Sequence, residues 1–141
     1  MVQQPRGIRN NNPLNIRKGN DWIGERHNQT DKAFEEFETI ELGLRAGFII
    51  IFNYIKKLHL RPRCNTPAEI IRRWAPPSEN HTQRYLGVVC KRSRLIPGEV
   101  LQTSDKDKLC RLVAAMCFVE CGQEISMDVI EKGYDLAAKS R

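Results

Sequence analysis

The chain has 141 residues, 40% of them hydrophobic and 28% charged, the size and balance of one ordinary domain over residues 1–141, which excludes a disordered chain. Its net charge of +6 and pI near 9.2 favour an acidic partner, for which nucleic acid and the anionic bacterial wall both qualify. The longest apolar stretch, Ala46 to Phe52, includes a glycine and is too short to cross a bilayer, so no membrane insertion is expected.

The N-terminal Met1-Val2-Gln3-Gln4-Pro5 carries neither the basic region nor the apolar segment of a secretory signal. If the target lies outside the cytoplasm, another system must deliver the protein. Between Arg9 and Arg17 stand Asn10, Asn11, Asn12 and Asn15, with Trp22-Ile23-Gly24 close behind. Asparagine is a weak helix and strand former whose amide caps, turns and hydrogen-bonds well. The segment therefore reads as an ordered polar loop presenting amides and an indole face, a surface suited to a sugar. The acids Asp31, Glu35, Glu36, Glu38 and Glu41 follow, and their density reads mainly as a solvated face.

From Glu41 onward helical periodicity takes over. Ile40, Leu44, Phe48, Ile51, Phe52 and Ile55 fall on one stripe, predicting a long core helix over 39–58. Thr66-Pro67-Ala68-Glu69 is a capping box with proline at the first helical position, and Pro76-Pro77 stops that helix after Trp74. A third helix is expected from Glu79 or Asn80 to Cys90. Ser104 caps a fourth, with Leu109, Leu112, Val113, Met116 and Val119 on its apolar face and Gly122 at its end; Ser126 opens a last one. The fold class is thus mainly α (α+β), about five helices facing a small N-terminal loop or β-hairpin lobe, with a cleft between the two.

Five cysteines show no CxxC pair, and Cys110, Cys117 and Cys121 follow i, i+7, i+11 spacing, as buried thiols on one helix face do. His27, His59 and His81 are scattered. No metal and no cofactor is expected, and the thiols suit a reducing compartment.

Two acids stand out for chemistry in the cleft. Glu120 closes a strongly apolar helix, where desolvation and the negative helix end both raise a carboxyl pKa. A glutamic acid kept protonated near neutrality is what glycosidic cleavage needs to protonate the leaving oxygen. The plainer reading makes it the solvent edge of the last turn. Glu79, behind Pro76-Pro77 at a helix start, stays ionised and suits orienting a water or stabilising positive charge; it also reads as an ordinary capping acid.

The blocks RGIRNNNPLNIR, W-x-G, the Phe34–Phe37 pair, Gly43-Leu44-Arg45-Ala46 and IIRRWAPPSENHTQRY together resemble a lysozyme-like family of bacteriophage and prophage proteins, over Arg6 to about Tyr134. The Asn-rich part is also similar to bacterial glucosaminidases. In lytic transglycosylases the catalytic glutamate ends a helix ahead of the Asn-rich segment. Here Glu120-Cys121-Gly122 comes after it, so the resemblance implies a circularly rearranged lysozyme-like fold. It implies cleavage of the β-1,4 bond between N-acetylmuramic acid and N-acetylglucosamine in peptidoglycan, with Glu120 as the acid: by hydrolysis if Glu79 or an acid of the 31–41 run faces it as a second carboxylate, or by closure of a 1,6-anhydro ring if none is in reach. Asn11, Asn12, Asn15, Trp22, Asn80, Thr82 and Tyr85 would bind substrate. Action is then expected at the bacterial cell wall, from a virion or through a lysis or injection system. Two rivals stand beside this reading. One is a non-catalytic phage structural or glycan-binding protein. The other is a nucleic-acid-binding protein, motivated by Arg61, Arg63, Arg72, Arg73, Arg84, Lys91, Arg92 and Arg94 but lacking a helix-turn-helix or aromatic RNA-binding signature.

Overall fold

The structure is a computed structural model that describes residues 4–77 and 81–140. Among the described residues the chain is mainly helical, with α1 (Arg6–Arg9), α2 (Ile40–Lys56), α3 (Pro67–Trp74), α4 (Thr82–Ser93), α5 (Lys106–Cys121) and α6 (Met127–Lys139). None of these helices is long and apolar enough to cross a membrane.

Local chemistry accounts for most of the boundaries. The Thr39 hydroxyl accepts the Leu42 N–H to start α2, Thr66 accepts the Glu69 N–H to start α3, and Ser126 accepts the Val129 N–H to start α6. Gly122 ends α5 in the left-handed region at φ 72°, where a side chain is costly. The expected cap at Ser104 is displaced by one residue. Asp105 is the N-cap of α5, and its carboxylate accepts the Gln102 N–H at 2.8 Å, bracing the preceding turn instead of the helix end. The third predicted helix begins at Thr82; the start proposed at Glu79 or Asn80 lies outside the described residues.

α2 is the centre of the core. Its stripe of Leu44, Phe48, Ile51, Phe52 and Ile55 is buried against α6, where Phe48 and Phe52 meet the Tyr134 ring edge-on at centroid distances of 5.5 and 5.6 Å. Each buried phenylalanine contributes on the order of 2–3 kcal/mol. The helices come this close because Gly133 has no side chain: a Cβ there would lie 2.5 Å from Leu44 Cβ. α5 supplies Leu109, Leu112, Val113 and Met116, all fully buried, and packs on α4; Val119 is only half-buried. Cys110, Cys117 and Cys121 are buried free thiols that fill the same face.

The N-terminal segment departs from expectation in three ways. It opens with the four-residue α1, which leaves no periodic trace to read. It forms no β-hairpin: the pairing is limited to isolated antiparallel bridges, Arg17 with Phe34 and Glu25 with Phe37. Asparagine side chains occupy backbone groups that would extend a ladder: Asn12 Oδ1 accepts the Ile16 N–H and its Nδ2 donates to the Glu35 carbonyl, the pair that would otherwise bond to each other. The acid run is also no solvated face. Glu35 and Glu36 are each 2% exposed, and the Asp31 carboxylate is tied to Arg6 and Asn10. Leu14, Ile16 and Phe37 join the helical core, so segment and helices share one apolar interior.

Candidate functional site

Where the Asn-rich loop crosses the C-terminal end of α5, it closes a cleft of about 320 Å³. The loop contributes Asn15, Ile16, Arg17, Asn20 and Phe34; Ile50 and Tyr54 come from α2, Trp74 and Ala75 from the end of α3, and Glu120 from α5. Glu120 is the one carboxylate among these lining residues.

Three elements fix it. Tyr85, on α4 and 8% exposed, donates its hydroxyl to Glu120 Oε2 at 2.8 Å. Asn15 Nδ2 donates to Glu120 Oε1 at 3.3 Å and to its backbone carbonyl at 3.1 Å. Asn15 reaches both because its backbone is left-handed, φ 53°, a conformation that asparagine tolerates better than most residues. Burial pushes the Glu120 carboxyl above its ordinary pKa, while donors on Tyr85, Asn15 and Trp74 and the charge of Arg17 pull the other way. An acid in this balance holds a proton into a higher pH range than a surface glutamate, yet its conjugate base has hydrogen-bond donors waiting. That is the requirement on a group that first gives and then retrieves a proton.

The other predicted residues divide. Tyr85 and Asn15 stand at Glu120. Asn11 and Asn12 do not line the cleft: Asn11 Nδ2 donates to the carbonyls of Phe37 and Glu38, and the fully buried Asn12 ties its own loop together. Trp22 is half-buried against the core, away from the cleft lining, and its backbone N–H, not its indole, donates to Glu25 Oε2 at 2.6 Å. Thr82 is buried and donates its hydroxyl to the Ala75 carbonyl, joining α3 to α4. Glu79 and Asn80 lie outside the described residues. No acid of the 31–41 run faces Glu120 across the cleft. Glu35 instead faces Glu25, and burial together with that neighbour pushes it up to about 7.

Sequence reasoning passed over Phe34, Tyr54, Trp74 and Arg17 as cleft residues. A signal existed for Tyr54: with Ile50 it forms an i, i+4 pair off the main stripe of α2, a second half-buried face in need of a neighbour. Among the described residues no group of three or more His, Cys, Asp or Glu is placed to hold a metal ion.

No protein-family model matches the chain. It is 36% identical over 135 residues to Protein P5 of Pseudoalteromonas phage PM2, an alignment covering 92% of this chain and 80% of the phage protein. The chain belongs to the family of that phage protein. This corrects the resemblance to lysozyme-like phage proteins, and the circular rearrangement inferred with it loses its basis. The physical reason is visible in the loop: of the asparagines that carried the resemblance, Asn10, Asn11 and Asn12 tie the segment to itself and only Asn15 reaches Glu120, so the motif reports a turn-rich loop rather than a wall of catalytic residues.

Proposed function

We propose that the chain cleaves peptidoglycan glycan strands at the β-1,4 bond between N-acetylmuramic acid and N-acetylglucosamine, with Glu120 as the proton donor. The observation that carries this reading is a half-buried carboxyl held between Tyr85 and Asn15 on the wall of a cleft of about 320 Å³, a volume suited to one or two sugar rings. The relation to a phage protein supports it, because a phage must pass the bacterial wall. The basic surface supports it too, since the wall is anionic.

In this mechanism Glu120 protonates the glycosidic oxygen as an oxocarbenium-like centre develops on the sugar. Tyr54 and Trp74 offer faces for the rings, and Asn15 and Asn20 offer amides for hydroxyl or acetamido groups. The bond to the leaving oxygen breaks as that oxygen takes the Glu120 proton. With no second carboxylate among the described lining residues, the ionised Glu120 then takes the proton of the muramoyl 6-hydroxyl, whose oxygen closes on the anomeric carbon to give a 1,6-anhydro end. Glu120 is thereby reprotonated and ready for the next turnover.

One observation favours a second reading, a phage structural protein that binds glycan without turning it over. Both carboxylate oxygens of Glu120 have donors within the fold, so the group also serves to pin α4 and the loop to α5. Mass spectrometry of purified sacculi incubated with the wild type and with Glu120→Gln separates the two. Release of anhydro-ended fragments by the wild type, reduced at least about a hundredfold in the variant, is the expected result. Equal release by the variant removes Glu120 from the mechanism, and sacculi bound but left intact by the wild type favour the structural reading.

A further inference from the structure

Arg17 is the cation of the cleft, and its surroundings leave its charge unmatched. Its guanidinium lies 5.1 Å from the centroid of the Phe34 ring, and it makes no ion pair among the described residues. A second guanidinium, that of Arg6, lies 4.5 Å from the same ring, but Asp31 neutralises it at 2.6 Å. Two arginines thus share one ring, and only the one lining the cleft is left uncompensated. Beyond Tyr54 the arrangement recurs: the Arg73 guanidinium lies 5.5 Å from the Tyr54 ring and lines the neighbouring groove, again without an ion pair among the described residues.

Resting on the reading of the cleft as a glycan-cleaving site, we propose that Arg17 selects strands bearing a carboxylate next to the scissile bond, and discriminates against neutral strands of the same sugar backbone. An arginine fork matches a carboxylate in two parallel hydrogen bonds, and stacking on Phe34 holds the fork ready, so little side-chain freedom is lost when the ligand arrives. Glu120 makes no ion pair with Arg17, and its carboxylate oxygens are engaged by Tyr85 and Asn15. The remaining lining side chains are uncharged. In a peptidoglycan strand the carboxylate comes from the lactyl ether of the muramoyl sugar or from its stem peptide. Pairing it with Arg17 also offsets the positive charge that draws the Glu120 proton away, so the bound substrate keeps more of Glu120 in its protonated form.

The test measures equilibrium binding in the Glu120→Gln background, where turnover plays no part. The probes are glycan strands stripped of peptide, with free lactyl carboxylates; the same strands with those carboxyls converted to methylamides; and strands retaining their peptides. Methylamidation is expected to weaken binding about tenfold, and Arg17→Met to bind free and amidated strands alike at the weaker level. Arg17→Lys keeps the charge without the fork and is expected to restore part of the preference, which reports on specificity even if the methionine variant folds poorly. Lys132→Met, on the exposed surface of α6, removes the same net charge elsewhere and is expected to bind as its parent does. Peptide-bearing strands, whose lactyl carboxyl is consumed in an amide, locate the carboxylate: tight binding assigns it to the peptide, weak binding to the sugar. Equal binding of free, amidated and peptide-bearing strands, binding of no strand at all, or an equal loss in Lys132→Met overturns the proposal. Cleavage by the wild type with no carboxylate preference leaves the function standing and removes Arg17 from it; a preference without cleavage does the reverse.

Discussion

Asn12 is fully buried, and its side chain donates to the carbonyls of Ile16 and Glu35 while accepting the Ile16 N–H, each at 3.0 Å. Asn15, three positions on, spends its amide on Glu120 instead. Nothing in the residue type separates these fates, because an amide serves a backbone carbonyl and a carboxylate equally well. The cluster was legible as an ordered polar loop, but the partner of each member depends on chain that lies about twenty to more than a hundred residues away. Glu120 was legible for a local reason, its apolar helix, and burial does raise its pKa. Its tuning by Tyr85 makes a prediction at this scale. The Tyr85 hydroxyl donates to Oε2 and so favours the ionised form; in Tyr85→Phe burial acts with less opposition, and the Glu120 pKa rises further. The alkaline limb of the pH–rate profile for strand cleavage is expected to move to higher pH in the variant. A limb that stays in place or moves down would show that Glu120 is not the group that limits it.

At the level of elements, the sequence spoke clearly wherever a cap and a period agreed. α3 and α6 begin at the expected hydroxyls, α2 begins within the expected span on a Thr39 cap that was not foreseen, and the α5 stripe and its glycine stop stand where predicted. α1 was invisible because four residues complete barely one turn. The hairpin failed because alternation in the loop is interrupted by side chains that compete for the backbone. How the loop docks was written in α2, though not readable without coordinates. Gly43 and Gly47 lie one turn apart on the face that receives Asn11 and Leu14, and a Cβ at Gly43 would lie 2.0 Å from the Asn11 carbonyl oxygen. That oxygen belongs to the backbone of a loop cross-tied by asparagine, so it cannot yield without moving Asn15 as well. Gly43→Ala is expected to lower the unfolding free energy by roughly 2–4 kcal/mol, seen as a lower urea midpoint, and to reduce strand cleavage in the surviving folded protein. Gly87→Ala, on an open face of α4, is expected to stabilise by about 0.5–1 kcal/mol. If both alanines behaved alike, the close approach of loop and helix would be refuted.

For the whole molecule, composition indicated the class and the sign of the charge but not how the acids inside are arranged. Glu25 and Glu35 meet only because the loop folds back on itself, and that pairing sets one side of the pH response. Glu35 is pushed up to about 7 by burial and by Glu25, and burial also raises Glu120. For such groups the folded state binds the proton more tightly than the unfolded chain, so stability falls as pH rises from the ordinary carboxylate range toward about 7 and changes little beyond it. Asp31 and Glu36 act in the opposite sense. The Arg6 guanidinium holds Asp31 well below the usual range; for Glu36, burial opposes ionisation, but the N–H groups of Asp31 and Thr30, the Thr30 hydroxyl and Arg26 outweigh it. Their folded pKa values are depressed, so their contribution is complete above the ordinary carboxylate pKa and is lost as pH falls through the folded one. The two sets together place maximum stability on the acid side of neutrality, at about pH 5. Thermal unfolding followed from pH 3 to 9 checks this. Tm is expected to peak there and to decline toward pH 8, and Glu35→Gln should remove much of that decline while leaving the acid side unchanged. Asp31→Asn should do the reverse, flattening the acid side and lowering the peak. A wild-type Tm that is flat from pH 5 to 9 would mean that the fold does not hold the Glu35 proton.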